Sequence, residues 1–186
     1  MFDLQSEKEY RENIKRAIEN NSTYFFNCNG DEHNSYIIKS IFEFSKGTAY
    51  ILSNNFNTEI YNLPQIINAA NKFLEKKDNN LEIIIQSNNN NNVFYENFFL
   101  QEIIKKYPNK INLYGSLKGL ISYQKNIMIA PTIMDGIVIK LEENIKNKIN
   151  VVNFNIEKQI GQNILKQMKK WTENISTISI KYTLSQ

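Results

Sequence analysis

The sequence predicts an α/β domain: a mixed sheet flanked by helices, mainly parallel, with antiparallel strands in its C-terminal half. Three observations predict it. Strand-like and helix-like segments alternate as far as residue 116, the order of strands joined by crossover helices. The segment LEIIIQS (81–87) contains a continuous apolar run, as in a strand covered on both faces. From 121 to 155 strand-like pieces follow one another with little helix between them, and Asp135-Gly136 is a turn signal between two of them.

Each element has its own signal. SEKEYRENIKRAIEN brings Tyr10, Ile14, Ala17 and Ile18 onto one helical face, with Ser6 as a candidate cap. The aromatic-rich STYFFNC reads as a short strand. HNSYIIKSIFEFSKG spaces Tyr36, Ile37, Ile41 and Phe44 as a helix, with Gly47 at its C′ end. TAYILS is a buried strand, and the polar NNFNTEIYN is a loop. LPQIINAANKFLEKK is a helix with Pro64 in its first turn and Ile66, Ile67, Ala70, Phe73 and Leu74 on its apolar face. After LEIIIQS comes a low-complexity Asn run, read as a loop. VFYENFFLQEIIKKY is a helix and KINLYGS a strand. ISYQKNIMIA, DGIVIKLE and INVVNF are the later strands. IEKQIGQNILKQMKKWTEN is a long helix with Ile160, Ile164, Met168 and Trp171 on one face; STISIKYTLS is an edge strand or a loose tail.

The chain has 186 residues, enough for one domain over 1–186, with 1–20 as an N-terminal helical extension. Its net charge of +3 is small for a duplex binder, and Lys-rich pieces such as Lys105-Lys106, Lys166 and Lys169-Lys170 fit solvated helix faces. Cys28 is the only cysteine, which excludes an intramolecular disulfide and a cysteine zinc cluster. The N-terminus lacks an apolar signal core, and no apolar run has the roughly 20 residues needed to span a bilayer. The expectation is a cytoplasmic protein with no membrane partner.

The stretch ISYQKNIMIAPT (121–132) carries a further signal. Together with the order of elements, it resembles the phospholipase D-like superfamily, whose enzymes bear a His-x-Lys-x4-Asp signature on a strand late in the domain. On this chain the His position falls on Tyr123, the Lys position on Lys125 and the Asp position on Ala130, beside Pro131. Upstream, TAYILSNNFN and LEIIIQS, each with its helix, are similar to the superfamily's opening units. Downstream, IVIKLE, the Asn153-Phe154-Asn155 triplet and a terminal helix ending near Trp171 look like the tail of small single-motif members. The resemblance spans roughly residues 30–174 and rests more on element order than on identity.

The resemblance implies a homodimer in which two signatures meet. In the active enzymes one His attacks phosphorus and the other protonates the leaving oxygen, while the lysines neutralise phosphate oxygens. Tyr123 is a poor substitute, because a phenol with a reference pKa of about 10 is protonated at pH 7. His33 is the only histidine and stands far upstream, so the two-His mechanism is absent. The expected function is therefore a catalytically degenerate, dimeric binding or assembly module in a bacterial nucleic-acid-linked or phage-defence setting. Its ligand-binding residues are Lys125, Asn153 and Asn155, and its partners a second copy, another protein, nucleic acid or a nucleotide. One rival is a phosphodiesterase or nuclease with a rebuilt site of Tyr123, Lys125 and His33; another is a sensor of phosphate-bearing ligands. No cofactor and no metal site are expected. The plain readings stand beside these: Tyr123 a strand aromatic, Lys125 a strand-edge lysine, His33 a polar residue opening a helix, Cys28 a small buried side chain, Trp171 a core or dimer contact.

Overall fold

The computed structural model describes residues 4–20, 22, 25–28, 30–53, 58–85, 97–115, 125–143, 149–153 and 158–174. The elements in chain order are α1 (Leu4–Glu19), β1 (Phe25–Cys28), α2 (Asp31–Phe44), β2 (Thr48–Ser53), α3 (Thr58–Tyr61), α4 (Pro64–Glu75), β3 (Asn80–Ile85), α5 (Phe98–Lys106), β4 (Ile111–Gly115), β5 (Lys125–Pro131), β6 (Ile137–Glu143), β7 (Ile149–Asn153) and α6 (Lys158–Asn174).

The strands form one mixed sheet in the order β1-β7-β6-β5-β2-β3-β4. Neighbours are parallel only across β2, β3 and β4; every other adjacent pair is antiparallel. Following the pairings across the sheet, β1, β6, β2, β3 and β4 point one way, and β5 and β7 the other. The expected mixture is present, with two corrections: only two of the six adjacent pairs are parallel, so the sheet is not mainly parallel, and the antiparallel part also recruits β1 from the start of the chain, which pairs with β7 from Phe25↔Asn153 to Cys28↔Asn150. That pairing joins segments about 125 residues apart, and no local pattern encodes it.

Alternation along the strands divides the interior in two. Leu81, Ile83 and Ile85 of β3 face a large core filled from α1, α2, α4 and α5, while Ile84 faces a smaller one under α6. β3 is thus covered on both faces, as the apolar run within LEIIIQS predicts. In α1, Ile14, Ala17 and Ile18 are buried in the large core. Met168, Ile164 and Trp171 of α6 pack over Ile129, Ile139 and Tyr50. Gly161 faces β6: a Cβ there would stand 3.5 Å from Ile137, an ordinary van der Waals contact.

Several ends differ from expectation. α1 begins at Leu4, so Ser6 lies inside the helix and does not cap it. α2 stops at Phe44 because Ser45 turns extended and bridges Thr132. Gly47, at φ 72°, instead makes the turn into β2 and donates its N–H to Asn79 Oδ1 at 2.7 Å. The NNFNTEIYN segment contains a helical turn, α3, anchored by buried Ile60 and Tyr61. α5 is capped twice. Asn97 Oδ1 accepts from Leu100 N at 3.0 Å, and Asn62 Oδ1 accepts from Phe99 N at 2.9 Å. The Asp135-Gly136 turn joins β5 to β6 as predicted. Asp135 adopts φ 61°, Thr132 Oγ1 accepts from Gly136 N at 2.9 Å, and Lys46 pairs with the Asp135 carboxylate.

Candidate functional site

Lys125 is the first residue of β5. It pairs in register with Glu143, the last residue of β6, while the adjacent β2–β5 ladder runs from Tyr50↔Ile129 to Leu52↔Ile127. Lys125 therefore stands between the C-terminal ends of β2 and β6. In open α/β sheets this is the end where ligands are bound, because the loops beyond the parallel strands converge there.

Ala130, at the aligned Asp position, lies on the same strand. It pairs with Val138 and is fully buried (0% exposed) in the large apolar core.

The other sequence candidates are spread out. Tyr123 and Asn155 fall outside the described residues. Asn153 ends β7, paired on one side with Phe25 and on the other with Ile139. Because Lys125 pairs with Glu143, two strand spacings and four residues separate the Cα atoms of Lys125 and Asn153, about 16 Å. His33 sits in the first turn of α2, its ring stacked on Tyr10 at 4.2 Å and 12°. Tyr10 in turn meets Phe26 of β1 edge-on at 5.8 Å. In the sheet order β7 and β6 lie between β1 and β5, so His33 and Lys125 belong to different regions of one chain. Next to His33, Tyr36 Oη donates to Glu32 Oε1 at 3.2 Å, and the Arg11 guanidinium lies 4.0 Å over the Tyr36 ring. Among the described residues no three His, Cys, Asp or Glu side chains gather as a metal site.

Two polar features inside the sheet were missed at the sequence level. Lys140 of β6 is 4% exposed. Glu82 interrupts the apolar run of β3, in register with Tyr50 on one side and Asn112 on the other. Asn112 Nδ2 donates to Glu82 Oε1 at 3.0 Å, while Glu82 Oε2 is buried. The phenols nearby respond. Burial pushes Tyr114 far above the usual tyrosine value, reinforced by the hydrogen bond and charge of Glu82. Burial also raises Tyr50, with added repulsion from Glu82 and Glu173. The one available signal was a single charged residue inside an otherwise apolar strand.

These shifts fix the sign of an alkaline effect. Above about pH 10 the unfolded phenols lose a proton that the native ones retain, so the unfolded state binds fewer protons and stability falls. Each tyrosine contributes at most about 1.4 kcal/mol per pH unit. Melting temperature should drop between pH 9.5 and 11, and Tyr50→Phe combined with Tyr114→Phe should flatten that drop; an unchanged slope would count against the burial of these phenols.

No family model matches the sequence, and no curated protein matches it. Among solved structures the fold is similar to that of TrmBL2, an archaeal chromatin protein described as showing a novel mode of DNA binding. The identity is 11% and the TM-score 0.56, with 94% of this chain covered. The match spans 62% of the TrmBL2 chain, and at this identity the likeness is one of fold alone. No helix among the described residues is long and apolar enough to cross a membrane.

Proposed function

We propose that this chain is a catalytically degenerate phospholipase D-like module, assembled as a homodimer, that binds nucleic acid without cleaving it. The observation that carries the loss of chemistry is Ala130. The position aligned with the signature Asp is an apolar core residue on the strand that Lys125 opens. The only histidine, His33, is engaged in an aromatic stack on another part of the domain. An activated nucleophile and a general acid are both needed near a scissile phosphate, and this arrangement supports neither. The nucleic-acid class is supported by the fold-level likeness to a DNA-binding chromatin protein.

The test pairs binding with turnover. A labelled DNA duplex should bind at low salt, while DNA and a generic phosphodiester should remain uncut. Tyr123→Phe and Lys125→Ala should leave that absence of turnover unchanged. Hydrolysis in the native chain that either substitution abolishes would overturn this reading in favour of a rebuilt active site. Light scattering showing a 21.8 kDa monomer at micromolar concentration would remove the dimer.

A second reading is favoured by the place of Lys125 alone: a phosphate-bearing small ligand held beyond β2 and β6. It requires nucleotides to raise the melting temperature of the native chain and not of Lys125→Ala.

A further inference from the structure

The end of the sheet opposite Lys125 carries a different concentration of charge. There α4 and α5 finish side by side. Lys106 Nζ lies 3.4 Å from Glu75 Oε1, and Tyr107 Oη donates to Asn71 O at 3.3 Å. Lys110 Nζ donates to Leu74 O at 2.7 Å and to Lys76 O at 2.6 Å, satisfying the last carbonyls of α4. Lys106 and Lys110 thus have structural work. Lys72, Lys76, Lys77 and Lys105 do not: all four side chains are exposed, and none makes an ion pair or a side-chain hydrogen bond. Residues 72–78 and 102–110 hold six lysines against Glu75, Asp78 and Glu102, an excess equal to the +3 of the entire chain. The remainder of the sequence is electrically balanced.

We infer that this end of the domain, built from the C-termini of α4 and α5, is the surface that meets the phosphodiester backbone of nucleic acid. The inference rests on the nucleic-acid reading above and adds where the contact is made. Unpaired lysines crowded on two helix ends repel one another and hold counterions. A polyanion relieves that repulsion and releases its own counterions. Phosphate contacts of this kind position a protein without reading sequence, so binding is expected to be indifferent to base composition. An anionic membrane surface fits less well. Attachment there needs apolar side chains among the lysines. The exposed large apolar residues among those described, Phe98, Ile133 and Met134, all lie outside these two segments.

The experiment measures fluorescence anisotropy of a labelled duplex as salt is varied, with the full chain. Four phosphate contacts give a log K against log salt slope of about −3.6, or roughly a hundredfold loss of affinity from about 50 to about 200 mM salt. Replacing Lys72, Lys76, Lys77 and Lys105 together by Gln should flatten the slope by about three to four and weaken low-salt binding at least about tenfold. Lys166→Gln with Lys169→Gln, on the exposed face of α6, should leave both unchanged. All these side chains are exposed, so an unaltered melting temperature confirms folding. Duplex binding that survives the fourfold replacement overturns the inference and leaves the nucleic-acid reading standing. No duplex binding by the native chain overturns both. Sedimentation with phosphatidylserine vesicles that depends on the same lysines, without duplex binding, moves the surface to a membrane and likewise overturns it.

Discussion

Phe99→Ala is expected to lower the stability of the domain by about 3–5 kcal/mol, while Phe98→Ala, one residue earlier, changes it by less than about 0.5 kcal/mol. The two residues are chemically identical and share the first turn of α5. Phe99 is fully buried; Phe98 is 52% exposed. The Phe99 ring lies 5.4 Å from Tyr61 of α3 and 6.3 Å from Phe42 of α2, and Phe42 is 5.8 Å from Phe73 of α4. One ring therefore joins α3 and α2 directly, and α4 through Phe42. Truncation removes the transfer energy of the ring and leaves a cavity that several helices would have to collapse into. Denaturant titration reads the difference as a lower midpoint at unchanged slope. A loss below about 1 kcal/mol for Phe99→Ala would mean that the α2–α5 corner is loosely packed.

That pair of neighbours also marks what a sequence can convey. Packing settles that Phe99 and not Phe98 is buried, but the sequence of VFYENFFLQEIIKKY announces a helix, because helical patterning is a local property. The same holds for TAYILS, LEIIIQS and the face of α6. Asp135-Gly136 announces its hairpin because a positive φ is needed at one residue. What stayed hidden depends on distant partners. β1 joins the sheet through β7, which only the closing of a long loop can reveal. Gly47 serves Asn79, not the end of α2. Glu82 lies between Tyr50 and Asn112 only after three strands have taken their register. The candidate site divides the same way. The signature spacing at Tyr123, Lys125 and Ala130 can be read in twelve letters. The 16 Å or so between Lys125 and Asn153 follows from the β5-β6-β7 ladder. The lysines of α4 and α5 look like two ordinary helix ends until Lys110 and Glu75 bring them together.

Ala130→Asp puts a carboxyl at the position that the proposed phospholipase D-like alignment gives to the signature Asp, and it should cost about 3–5 kcal/mol of stability at neutral pH. Ala130 has no exposed surface and pairs with Val138 within the large apolar core. A carboxylate introduced there loses its water, and that desolvation raises its native pKa above the unfolded value of about 3.9; the buried Lys140, in register with Met128 on the same sheet face, offsets only part of the rise. The sign follows. Below about pH 4 both states carry the neutral acid, and the penalty is limited to volume and a buried hydroxyl. As pH climbs, the unfolded chain releases the proton first, and the native state loses about 1.4 kcal/mol per pH unit until its own pKa is reached. The variant should therefore be closest to the parent at pH 4 and furthest from it at pH 7, as denaturant midpoints at the two values would show. A small and pH-independent cost would mean that the β5–α2 interface still holds donors arranged for an Asp. The expected large cost means that the apolar core around residue 130 does not accommodate a carboxylate, so exchanging Tyr123 for His and Ala130 for Asp would not by itself produce the signature site of the family proposed above.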